Sequence, residues 1–145
     1  LVLGQIISYL SGIPVLLVTL WGVLLQIHRS GLRWNLPAMW LVLAMFGWSA
    51  GVIPAIVDGT LVVNQVMHNT LWVPGHFHMY LLLGLLPMVI GFSLEVFKNH
   101  ASHNEMVQRI VFYTFAAGGL VVCAAFLLAG RASVPRRWAA HWPDG

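Results

Sequence analysis

The chain has 145 residues, 59% hydrophobic and 8% charged, with seven Lys and Arg against four Asp and Glu for a formal net charge of +3. An ordinary soluble domain carries roughly one-quarter charged residues, so this balance excludes a water-soluble globule and points to lipid. Basic residues fall in the loops rather than in a patch, so no nucleic-acid partner is expected.

Crossing the hydrocarbon core as a helix takes roughly 20 apolar residues. Four runs meet that length, at about 2–27, 37–57, 68–97 and 107–130. Backbone in lipid must satisfy its own hydrogen bonds, and continuous apolar runs without two-residue alternation select helices over a barrel. The expected fold is therefore all-α, an integral membrane bundle of four transmembrane helices in one unit, 1–145.

The first span opens at Leu1 inside an apolar run, with no basic leader and no small-residue cleavage site, so it is not read as a signal peptide. With "HWPDG" at the other end, the chain reads as a piece of a longer membrane protein. Gln5, Ser8, Ser11, Thr19 and Gln26 fall within about 120° on this helix, a polar stripe expected to bond a neighbouring helix. The connections "HRSGLRWN", "VDGTLVVNQV" and "KNHASHNEM" read as short polar loops. Asp58 and Glu95, near span ends, are expected to be solvated, and His28, His100 and His103 to be surface residues. Cys123 in the fourth span reads as a small core residue.

The third span holds the chemistry. "HNTLWVPGHFHMYLLLG", residues 68–84, carries His68, His76 and His78 through apolar sequence. A solitary intramembrane histidine is ordinarily a hydrogen-bonded bundle residue. A His-x-His pair with a third histidine further up favours function, because ionisable groups at this depth are costly. At about 100° per residue His76 and His78 point roughly 200° apart, with about 3 Å of rise between them. They cannot share one ion, but they suit two separate sites flanking one helix at one depth. A pair of haems, each taking an axial imidazole, would need such an arrangement. Phe77 lies between the two ligand directions, Pro74 removes a backbone N–H, and Gly75 admits a bulky group close to the backbone.

"HNTLWVPGHFH" resembles the tenth-helix signature of subunit I of the haem-copper oxidases, and Asn69 with the Trp-Val-Pro-Gly spacing resembles its B-type branch. "VPRR", residues 134–137, is similar to the motif whose arginines hold haem propionates in that family. The resemblance covers the whole chain, as helices eight to eleven of about twelve and the following loop. It implies that His76 is the proximal ligand of the high-spin haem, that His78 is an axial ligand of the low-spin haem, and that His68 lies near the high-spin haem's propionates. It further implies that Arg136 and Arg137 pair with propionates, a role suited to guanidinium forks.

The same resemblance implies a respiratory terminal oxidase that reduces O2 to water with electrons from cytochrome c or a similar donor, coupled to proton translocation. Its copper ligands would lie outside this chain, and its partners would be the rest of subunit I and subunit II in a prokaryotic plasma membrane. It also makes a proton path along the first helix possible. Arg29, Arg33, Lys98 and Arg109 share one side and Arg131, Arg136 and Arg137 the other. With the last two given to propionates, the first side becomes cytoplasmic and both termini face outward. Asn64 stands where some members have an acid, and Trp138 where an aromatic hydroxyl is frequent. The alternatives are a nitric oxide reductase of the same superfamily, a non-catalytic dihaem carrier and a plain structural bundle.

Overall fold

The computed structural model describes residues 2–31, 34–97 and 104–136. Its long helices are α1 (Val2–Ser30), α2 (Leu36–Gly59), and α6 (Glu105–Arg131), together with a composite rod. The rod begins with α4 (Trp72–His78), continues as a π-helical segment (Met79–Leu85) and ends with α5 (Leu86–Val96). All four are long and apolar enough to cross a membrane, which makes the described chain an all-α membrane bundle.

Local sequence sets the helix starts. Asn35 accepts the Ala38 N–H through its side chain at 3.0 Å with Pro37 in the first turn of α2, and Asn104 accepts the Met106 N–H at 3.0 Å at the head of α6. Each replaces a backbone partner that a helix N-terminus lacks. Glu105 in the first turn of α6 pairs with Arg109 one turn on, at 2.8 Å.

Two expectations about the segment before the rod are corrected. "VDGTLVVNQV" is not a loop, since Leu61–Met67 forms a short helix, α3, with Thr60 closing α2 and opening α3. The third span also starts at Trp72 rather than 68, because residues 68–71 turn out of α3. Thr70 stabilises that turn: its hydroxyl donates to the Met67 carbonyl at 2.8 Å and accepts the Trp72 N–H at 3.2 Å.

The rod is gripped on two sides through glycines. On the α2 side, a Cβ on Gly47 would run into the Leu83 backbone and one on Gly51 into the Tyr80 ring. On the α6 side, Gly119 admits Leu83, Leu127 covers Gly75, and Gly130 lies against the Trp72 backbone. Small residues let membrane helices approach closely where no hydrophobic force drives them together. The order of these pairs shows that the rod runs antiparallel to both neighbours. The π segment coincides with the closest approach. Pro87, fully buried, has no N–H for the Leu83 carbonyl, and that carbonyl faces Gly47. Around it lies the core of Leu43, Met79, Leu83 and Cys123, closed at the far end by Trp40 edge-on to Phe112 at 5.0 Å. Cys123 is a core residue, as expected.

The first helix is tied on more lightly. Tyr9 lies 2.6 Å from the Thr60 hydroxyl and donates to the Ile56 carbonyl at 3.3 Å, while Gln5 donates to the Tyr9 oxygen at 2.9 Å. One member of the anticipated polar stripe thus reaches the neighbouring helix through a tyrosine. The side chains of Ser8, Ser11 and Thr19 lie outside the described residues.

Beyond α6 the chain turns back along the head of the rod. Ser133 has φ of 62°, the left-handed region, and its N–H donates to the Gly130 carbonyl at 3.0 Å. Residues 134–136 then pair antiparallel with 69–71: the Leu71 N–H donates to Val134 O and the Arg136 N–H to Asn69 O, each at 2.9 Å.

Gly47→Leu in the intact subunit should lower stability by about 1–3 kcal/mol through overpacking, and Gly47→Ala by less, measured as the thermal midpoint of the detergent-solubilised protein. Ser133→Gly should raise stability by up to about 1 kcal/mol, while Ser133→Val should lower it by about 1–2 kcal/mol in the same measurement, because only glycine takes the left-handed region without cost.

Candidate functional site

Both His76 and His78 lie in α4, before the π segment begins, so regular α geometry governs their directions. His76 is buried, at 7% exposure, on the side facing α2. Its ring stands edge-on to Tyr80 at 6.1 Å, and Tyr80 in turn packs on Trp48 of α2 at 5.5 Å. His78 faces the α6 side, where its ring lies 4.9 Å from that of Phe126. The pair is brought to one level of the bundle on opposite faces of the rod. Phe77, between them, has its ring 4.5 Å from that of His76 and also borders the space beside His78.

Each side of the rod offers apolar room. Beside His78 a cavity of about 360 Å³ is lined by Phe77, Leu81, Leu82, Leu85 and Val89. On the other side a cavity of about 380 Å³ between α1 and α2 is walled by Leu16, Leu20, Met45, Val52 and Tyr80. The cavity beside His78, with apolar walls and one convergent imidazole, suits a large flat cofactor better than a hydrated ion. Among the described residues no three His, Cys, Asp or Glu side chains converge on a metal site.

The ring nitrogens are also placed for ligation. His78 Nδ1 lies 2.7 Å from the Pro74 carbonyl, which can only accept, so Nδ1 carries the proton and Nε2 is left as the donor atom for a metal. Ligating imidazoles almost always have their other nitrogen held in this way. His76 Nδ1 is buried without a hydrogen-bond partner. The donor set, one imidazole on each face of the rod, is of a kind that would hold haem iron.

At the head of the rod the two sequence motifs meet. Asn69 and Arg136 are joined by their backbones, which puts the "HNT" and "VPRR" segments side by side although they are far apart in the chain. His68 closes α3, is exposed, and has Nδ1 3.4 Å from the Asn64 amide. Thus His68 directly precedes the residue whose carbonyl accepts the Arg136 N–H. Arg136 Nε is buried with no partner, a donor suited to an anion. Arg137 lies outside the described residues, as do Arg33, Lys98, His100, His103, Trp138 and His141.

Sequence reasoning misplaced one residue. Asp58 was expected to be solvated at a span end, yet it is 9% exposed, and its Oδ1 is buried without a partner. The reason is α3: folded back over the end of α2, it carries Asn64, whose amide donates to the Asp58 carbonyl at 2.8 Å. A helical signal in 61–67 would have exposed the error. Trp72 has a role that its place in the motif does not announce: its indole N–H donates to the Pro54 carbonyl at 2.9 Å and ties the head of the rod to α2.

Residues 1–144 match the family model described as Cytochrome C and Quinol oxidase polypeptide I. A cytochrome c oxidase subunit 1 of Thermus thermophilus is 30% identical over 126 residues, 78% of this chain and 21% of that protein. A second cytochrome c oxidase subunit 1 from Thermus thermophilus is 43% identical over 49 residues, 33% of this chain and 45% of that protein. No solved structure matches. The chain thus spans about a fifth of one relative and less than half of the other. With its match reaching from the first residue to the last but one, the chain belongs to the cytochrome c and quinol oxidase polypeptide I family.

Proposed function

We propose that this chain is the part of a respiratory terminal oxidase's catalytic subunit that holds both haems, in an enzyme that reduces O2 to water with electrons from cytochrome c or a similar donor and couples this to proton translocation. The family implies haem and copper in the complete subunit, and association with subunit II. The observation that carries the reading is the opposition of His76 and His78 on one apolar rod, His78 beside an apolar cavity with its ring on Phe126 and His76 buried with its ring edge-on to Tyr80.

In this reading His76 is the proximal ligand of the high-spin haem and His78 an axial ligand of the low-spin haem. The bound haems supply an iron with an open position for oxygen on the His76 side and an electron-transfer iron on the His78 side. The chain's own residues supply position. Hanging both ligands on one helix, two residues apart, keeps the two sites close, so electrons cross little space. The Pro74 carbonyl fixes the ring orientation of His78, and Phe77 fills the space between the two directions. Leucines around His78 exclude water, lowering the local dielectric.

Arg136 is assigned, with Arg137, to the haem propionates, and His68 to the same polar layer. The buried, unpartnered Arg136 Nε and the backbone pairing with Asn69 support this. Copper ligands are assigned to other helices of the subunit, and the B-type branch rests on Asn69 following His68. The ends of α1 and α6 near Val2 and Arg131 lie on the same side of the bundle as Arg136, the side assigned to the outer face of a prokaryotic plasma membrane.

Two substitutions in the intact oxidase test the ligand assignments. His76→Ala should remove the ligand-binding, high-spin optical signature and abolish oxygen consumption, while His78→Ala should remove the six-coordinate signature. Retention of both signatures in both variants would overturn the reading. Arg136→Ala should weaken haem retention roughly 10- to 100-fold, the equivalent of about 1.5–3 kcal/mol for a lost charge-assisted hydrogen bond, with Arg136→Lys in between, measured as haem loss to apomyoglobin.

A further inference from the structure

The two histidines differ in what holds the nitrogen turned away from the iron. His78 has the neutral Pro74 carbonyl at 2.7 Å. His76 Nδ1 has no hydrogen-bond partner, although the Trp72 carbonyl stands one turn back along the helix. Across the α2 interface stands Asp58, buried, with Oδ1 likewise unpartnered.

The helix register brings these two groups toward each other. Gly47 meets Leu83 and Gly51 meets Tyr80, and continuing this antiparallel pairing sets Asp58 about one turn beyond the level of His76. Helical side chains lean toward their own N-terminus, so the carboxylate leans down along α2 while the imidazole leans up along α4. The Trp72–Pro54 bond pins the helices at this level. An unpaired buried polar group is costly, and here two complementary ones face one apolar interface.

We propose that Asp58 is the positioning residue of His76, its carboxylate accepting the imidazole Nδ1–H, directly or through one bridging water, while Nε2 binds the high-spin haem iron. This rests on the reading of His76 as that ligand. An anionic acceptor raises the basicity of a ligating imidazole, whereas a carbonyl does so weakly. Two haems on one helix would then be tuned apart by their acceptors, Asp58 strengthening the bond from His76 to iron and favouring the oxidised state there.

The test is resonance Raman spectroscopy and redox titration of the intact oxidase carrying Asp58→Asn or Asp58→Glu. In Asp58→Asn the iron–imidazole stretching band of the reduced high-spin haem should move to lower frequency and its midpoint potential should rise, with the low-spin haem unchanged. Asp58→Glu, which keeps the anionic acceptor, should restore both toward the parent values. A band and potential unmoved in Asp58→Asn would overturn the proposal and leave the Trp72 carbonyl as the partner, with His76 still the ligand. Equal shifts in both variants would also overturn it, as would a band unmoved by Asp58→Asn in any preparation that retains high-spin haem. Survival of the band in His76→Ala would instead overturn the underlying ligand reading, a result distinct from the others.

Discussion

The close approach of three helices through glycine governs the rest of this structure. Gly47 and Gly51 on α2, with Gly119 and Gly130 on α6, let the central rod lie nearly backbone to backbone against both neighbours. In lipid there is no hydrophobic force to press helices together, so such contact surfaces decide which way each rod is turned. Turning the rod by a fraction of a turn would swing His76 out of the α2 interface and His78 off Phe126. The azimuth of both imidazoles is therefore a property of glycines that carry no chemistry of their own.

Among the described residues, the buried side-chain polar atoms left without a partner have a common location. Asp58, His76 and Arg136 each bury a side-chain nitrogen or oxygen without a partner, and all three sit toward the end of the bundle where α2 finishes, the rod begins and the chain leaves α6. Other polar side chains at the same end are satisfied locally, Thr70 by Met67 and Trp72, and Tyr9 by Thr60 and Ile56. Unpaired groups in an apolar medium are costly, so their gathering at one end is what a group bound there would relieve.

Backbone chemistry assembles the same end. The segments 69–71 and 134–136 carry too few residues to form a sheet, but two hydrogen bonds suffice to lock the turn before the rod onto the turn after α6. Ser133 takes a left-handed conformation to make the reversal. The consequence is that a histidine-bearing motif and an arginine-bearing motif share one polar layer, with the imidazoles of α4 a turn or two below it.

Much of this was legible in the residues themselves. Apolar runs longer than the hydrocarbon core force helices, because no other open structure closes its own hydrogen bonds there, and an odd spacing of two on a helix forces opposed side chains whatever surrounds them. The motifs around His76 and His78 and at residues 134–137 carried the family on their own. Three things were decided only in the tertiary structure. The segment Leu61–Met67 is too short to announce itself as a helix, and its folding over α2 is what buried Asp58. The π segment arises where Pro87 withholds a donor from Leu83 just as Gly47 admits that carbonyl. The different partners of His76 and His78 depend on which helix each ring faces. Periodicity along one chain specifies direction around its own axis, but what stands in that direction is set by neighbouring helices, and only packing brings those into place.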